Sequence, residues 1–74
     1  MSRHNMYEYH KDGVLVAIDT LAAGLGNTPP SLREVAKVVG VSVGTLHNYL
    51  TRMEQEGLVE WRPGAHRSLR TVRG

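Results

Sequence analysis

Pro29-Pro30-Ser31-Leu32-Arg33-Glu34-Val35-Ala36-Lys37-Val38-Val39-Gly40-Val41-Ser42-Val43-Gly44-Thr45-Leu46 decides how this chain folds. Ser31 followed by Glu34 has the spacing of a capping box. The hydroxyl takes a free backbone amide of the first turn, and the carboxylate returns a bond to the cap. A helix over about 31–39 follows, with Leu32, Val35, Ala36 and Val39 on its inward face. Gly40 stops it, because glycine accepts the left-handed backbone that a sharp turn requires. Val41 is the apolar residue of the turn and Ser42 the N-cap of the next helix, which runs over about 43–56 and ends at Gly57. Leu46, Leu50 and Met53, with Tyr49 beside them, form its buried stripe. Two helices joined by a tight glycine-containing turn are a helix-turn-helix.

Outward from this centre the pattern is less regular. Asn5 and Glu8 again have capping-box spacing, so a first helix is expected over about 6–25, with Val14, Ile18, Leu21 and Leu25 as its buried stripe. Gly13 interrupts that pattern at a cost of about 1 kcal/mol relative to alanine, which predicts an irregularity there or a start after Asp12. Gly24, Gly26 and Asn27 end the helix, and Thr28-Pro29-Pro30 form a stiff connector. Past Gly57, Leu58 to Trp61 and Ser68 to Val72 read as short strands around a turn at Arg62–Arg67. The expected architecture is mainly α with a small β-hairpin: a three-helix winged helix-turn-helix filling one domain, 1–74, with the wing over about 58–72.

Seventy-four residues, 41% of them hydrophobic, suffice for one core and leave no room for an enclosed substrate cavity. The absence of cysteine removes disulfides and thiolate metal sites. No apolar run approaches the roughly 18 residues of a membrane span, and Met1 to Asn5 lack the apolar core of a secretory signal. A soluble, cytoplasmic protein that does not enter a membrane is expected. The net charge of +2 is unevenly spread. Arg62, Arg67, Arg70 and Arg73 crowd the last residues with no acid among them, so the positive charge lies where it can address phosphates.

With its core face removed, the third helix presents Val43, Gly44, Thr45, His47, Asn48, Thr51 and Arg52. An Asn amide can pair bidentately with adenine, Arg reaches guanine or phosphate, and Thr and Val can touch a thymine methyl. No Asp or Glu occurs from Val38 to Met53, whereas Glu54, Glu56 and Glu60 crowd the far end. Helix stability alone disfavours acids at a C-terminus, but the gradient keeps the first turns compatible with an anion. Ser31 and Arg33 can bind phosphate at the start of the second helix. Arg62, His66 and Arg67 can grip the backbone or an adjacent minor groove from the wing. The partner read from these residues is double-stranded DNA. The bland alternative is a solvated polar helix face and a solvated basic end. Tyr7, Tyr9, Tyr49 and Trp61 are expected to pack rather than to stack on bases.

An enzyme is not expected. His4, His10, His47 and His66 lack metal-ligand spacing, and no Gly-rich phosphate loop or nucleophile with a base is visible, so neither metal nor cofactor is expected. Two rivals to a DNA-binding regulator remain: a winged helix that binds protein, and the DNA-binding part of a larger self-cleaving repressor or DNA-processing protein. Each periodic stripe is already used by the core. The chain is therefore expected to be a monomer or a weak homodimer, pairing on an inverted-repeat site.

From Pro29-Pro30-Ser31-Leu32-Arg33-Glu34-Val35-Ala36 through Gly57-Leu58-Val59-Glu60, the chain resembles the N-terminal DNA-binding domain of LexA-type repressors. Gly64-Ala65-His66-Arg67-Ser68-Leu69-Arg70 is similar to that family's wing, and Val41-Ser42-Val43-Gly44-Thr45-Leu46 also resembles the GntR and MarR groups of regulators. The resemblance implies a third helix in the major groove, a wing on the flanking backbone and a repressor's function. It points to Ser42, Val43, Thr45, His47 and Asn48 for bases and to Arg67 in the wing. LexA proteins also carry a self-cleaving Ser/Lys protease domain, to which nothing here corresponds. An excised domain or a free-standing small regulator is expected.

Overall fold

The computed structural model describes residues 5–62 and 68–72. Three helices, α1 (Asn5–Gly24), α2 (Leu32–Val39) and α3 (Val43–Gln55), precede two strands, β1 (Val59–Glu60) and β2 (Arg70–Thr71). The strands pair antiparallel, Val59 opposite Thr71 and Glu60 opposite Arg70. This is the winged helix-turn-helix architecture, with both strands shorter than the alternation suggests.

The local signals in the central stretch act as their chemistry dictates. Ser31 Oγ accepts from the Glu34 amide at 3.1 Å, and the Glu34 carboxylate accepts from the Ser31 amide at 2.8 Å. Gly40 takes φ 89°, and its amide and that of Val41 both donate to the Ala36 carbonyl, at 2.8 and 3.1 Å. Ser42 caps α3 by accepting from the Thr45 amide at 3.1 Å. Gly57, at φ 78°, turns the chain out of α3 towards β1.

α1 departs from its reading in three ways. It is one continuous helix through Gly13, because packing of its inner face outweighs the small propensity loss. Asn5 is its first residue rather than a flanking cap, and the Glu8 carboxylate pairs with Lys11 at 3.4 Å. Leu25 lies past its end and is 38% exposed, since the chain leaves the helix after Gly24 and turns through left-handed Gly26 and Asn27. Tyr7 and Ala17, not Leu25, complete the stripe begun by Val14 and Ile18, with Leu21 half-buried beside them.

One core joins every element. Val14 and Ile18 of α1 meet Val35 and Ala36 of α2, Leu46, Leu50 and Met53 of α3, and Val59, Trp61 and Leu69 of the hairpin. Each fully buried aliphatic side chain contributes roughly 1.5–3 kcal/mol. Alternation works in the hairpin: Val59 and Trp61 point inward while Glu60 between them is exposed. Ser68 Oγ accepts from the Arg62 amide at 2.8 Å, and Thr71 Oγ1 donates to Asp19 Oδ1 at 2.7 Å, tying β2 to α1. No helix among the described residues is long and apolar enough to cross a membrane.

Candidate nucleic-acid interface

The outer face of α3 is open over its first three turns. Leu46 and Leu50 are fully buried on one side, and Gly44, His47, Asn48 and Thr51 lie off it and are exposed. Val43 shares the side of the leucines but, as the first residue of the helix, is exposed as well. Thr45 is half-buried: its hydroxyl accepts from Ser42 Oγ at 2.9 Å, so the cap and the first turn hold each other. A Cβ built on Gly44 meets no atom of the described residues within 4 Å. Nothing inside the fold therefore demands glycine there. Among the described residues the Asn48 side chain makes no hydrogen bond, leaving its amide free to donate and accept. The Thr51 hydroxyl is less free, donating to the His47 carbonyl at 3.0 Å.

His47 sits where helix and wing meet. Its ring stands edge-on to Trp61, with centroids 4.8 Å apart and planes at 82°. It thus has a fixed base and an exposed outer edge. The indole nitrogen of Trp61 is buried and has no hydrogen-bond partner among the described residues. Arg62 is exposed, with its backbone clipped to Ser68. His66 and Arg67 lie outside the described residues. Ser31 is half-buried at the start of α2, and Arg33 is exposed within the first turn, among the free amides there.

Arg52 is placed differently from the other candidates. Its guanidinium lies 4.2 Å from the centroid of the Tyr7 ring, and its Nε meets Glu56 Oε2 at 3.4 Å. Tyr7 completes the cluster by donating its hydroxyl to Glu56 Oε1 at 2.8 Å. Burial, then that hydrogen bond to a carboxylate, push the Tyr7 phenol well above its ordinary value. The same hydrogen bond, aided by Lys11 and Arg52, holds Glu56 below the usual glutamate range. His10 stacks on Tyr49 alongside, at 5.6 Å between centroids. This junction clamps the end of α3 to the start of α1. It escaped the sequence because its partners stand 49 residues apart. Tyr7, Tyr49 and Trp61 pack as expected, whereas Tyr9 does not and is 78% exposed.

The capped turn between two helices, the outward face of α3 and the hairpin make up a winged helix-turn-helix fold. Residues 27–60 match the family described as winged helix-turn-helix DNA-binding. The chain is also similar to the LexA repressor of Acetivibrio thermocellus, with 38% identity over 45 residues, and to the LexA repressor of Desulforamulus reducens, with 40% over 45. In each case the match takes in 60% of this chain and 21% of the relative, so it spans about a fifth of the length of those repressors.

Proposed function

We propose that this domain is the sequence-reading part of a transcriptional regulator, a repressor, which lays α3 in the major groove of double-stranded DNA. The observation that carries this reading is the outer face of α3. Its side chains are short or polar, its first turn has no acid, and Asn48 is free to pair with a base edge. Free amides at the starts of α2 and α3, with Ser31, Arg33 and Ser42, suit adjacent phosphates. Arg62, His66 and Arg67 of the wing would extend the grip along the backbone. Similarity to LexA repressors favours a repressor over an activator, and the same face serves whether the domain stands alone or within a longer protein. The open groove of about 370 Å³ between the end of α1 and β2, beside Asp19 and Thr71, does not favour catalysis because it cannot exclude water.

Binding-site selection on random duplex DNA at stated salt, followed by titration of variants, tests the reading. Asn48→Ala should cost about 1–3 kcal/mol on the selected site and little on random duplex. Equal losses on both would reduce Asn48 to a positioning contact, and no selectable site would overturn the reading. Arg67→Ala should weaken binding to all sequences and lower the log–log salt slope by about 1. One such domain supplies few contacts. We therefore infer a monomer or weak dimer in solution, pairing cooperatively on an inverted repeat with half-sites about 34–36 Å apart.

A further inference from the structure

α1 has a second face that the fold leaves uncovered. Met6, Tyr9, Gly13, Val16 and Thr20 follow one another at steps of three and four residues and so lie on one side of the helix. All five are exposed, with Tyr9 at 78%, Val16 at 63% and Met6 at 49%. Val14 and Ile18 are buried on the side that faces the core, and buried Ala17 marks the inner edge of the stripe. It contains no charge. Sequence periodicity assigns only the inner stripe of this helix; Met6, Tyr9 and Val16 lie off that stripe and are exposed.

We propose that this stripe is the surface through which two copies of the chain meet, antiparallel, with the two-fold axis at Gly13. The residue order is self-complementary under that rotation. Tyr9 of one copy falls opposite Val16 of the other, and Met6 opposite Thr20. The two Gly13 backbones touch at the crossing. An isologous two-fold contact requires such a patch to fit itself. Gly13 supplies the second observation. A Cβ there meets no atom of the described residues within 4 Å, and its backbone is helical, so the fold gives no reason to bear a mid-helix glycine. Close approach of a second helix does give one.

The patch also sets the strength. Standard interfaces bury about 800 Å² per partner with 20–30 residues a side, so five or six residues give on the order of 200 Å². That is too little for a stable dimer in dilute solution. It is enough when neighbouring half-sites on DNA raise the effective concentration towards the millimolar range. Asp12, exposed beside Gly13, would lie near its own symmetry mate. Salt should therefore strengthen this contact, whereas it weakens binding to phosphate.

The proposal rests on the DNA-reading function, and its test separates the two. Self-association is followed by sedimentation up to several hundred micromolar. Cooperativity is measured on the selected duplex carrying two half-sites, and intrinsic affinity on a single half-site. Val16→Glu should raise the dimer dissociation constant at least tenfold and abolish cooperativity, with single-site affinity unchanged. Gly13→Ala should raise Tm by about 4–8 °C while weakening association several-fold, a pair of opposite signs that a merely exposed helix cannot produce. Asp12→Asn should strengthen association and flatten its salt dependence. Val38→Glu, on the exposed face of α2, is the control and should leave association in free solution unchanged. Association unaffected by Val16→Glu and Gly13→Ala, or abolished by Val38→Glu alone, overturns the proposal. So does a chain that stays monomeric at every concentration and binds paired sites independently. Failure of even single-site binding would instead overturn the DNA reading, and free-solution association would still judge the surface.

Discussion

The first turns of α3 and its last turn belong to one helix, yet the rest of the molecule treats them oppositely. At the start, Ser42 caps the backbone, a Cβ at Gly44 would meet no atom of the described residues within 4 Å, and Asn48 makes no hydrogen bond among them. At the end, Arg52 lies over the Tyr7 ring and pairs with Glu56, which in turn accepts from Tyr7. Residue type does not explain the division, since arginine is the better phosphate ligand. Position does: Arg52 and Glu56 stand beside Tyr7 of α1, whereas Gly44 and Asn48 lie on the exposed side of α3. One end is held so that the other can be presented at a fixed angle.

The most drastic way to break this comparison is to remove what both ends share. Leu50 is fully buried between them, and Leu50→Ala should cost about 2–5 kcal/mol. Small domains have only about 5–15 kcal/mol in total. Urea unfolding should therefore show a much lower midpoint, with binding lost in proportion to the folded fraction. A midpoint within error of the parent would mean that the end of α3 is held by the Tyr7 junction alone.

Substituting one residue from each end sharpens it. Asn48→Ala should leave Tm unchanged and cost about 1–3 kcal/mol on the selected duplex. Arg52→Ala should do the reverse, losing roughly 0.5–1 kcal/mol of stability with its cation–π contact and little affinity. Comparable affinity losses for both would mean that Arg52 leaves Tyr7 to reach DNA. A smaller effect is expected at Gly44. Because a methyl there meets only open space, Gly44→Ala should stabilise the fold by up to about 1 kcal/mol. It should also weaken DNA binding, if the helix backbone approaches the groove wall. Calorimetry and titration together distinguish the two signs.

What the sequence could reveal follows the same division. Ser31, Glu34, Gly40 and Ser42 were readable because a cap is made within three or four residues and depends only on local chemistry. The inward residues of α2 and α3 were readable from periodicity. Long-range partners were not. Nothing near Arg52 announces a tyrosine 45 positions earlier, and nothing near His47 announces the indole edge that fixes its ring. Leu25 continued the apolar spacing of α1 but not its backbone, which had already turned at Gly24. Tyr9 and Val16 have the composition of core residues and lie on the wrong side of the helix, which only the packing of Val14 and Ile18 makes visible.

The smallest expected effect concerns how the held end responds to pH. Glu56 is depressed below its ordinary value of 4.5, chiefly by the hydrogen bond from Tyr7. A lowered carboxylate value means stabilisation that is fully present above the unfolded value and lost as pH falls through the folded one. The Tyr7 phenol is raised, so its contribution is present below about 10 and lost only in strong alkali. Between these limits the junction is fully made. Tyr7→Phe keeps the ring under Arg52 and removes the hydroxyl alone. It should lower Tm modestly at neutral pH, and the gap from the parent should narrow as pH drops below 4.5. Affinity for a single half-site at neutral pH should barely change, because the first turns of α3 keep their cap. Melting curves at stepped pH read this directly. A gap that stays constant down to pH 2.5 would show that Tyr7 acts by packing and that Glu56 owes its low value to Lys11 and Arg52.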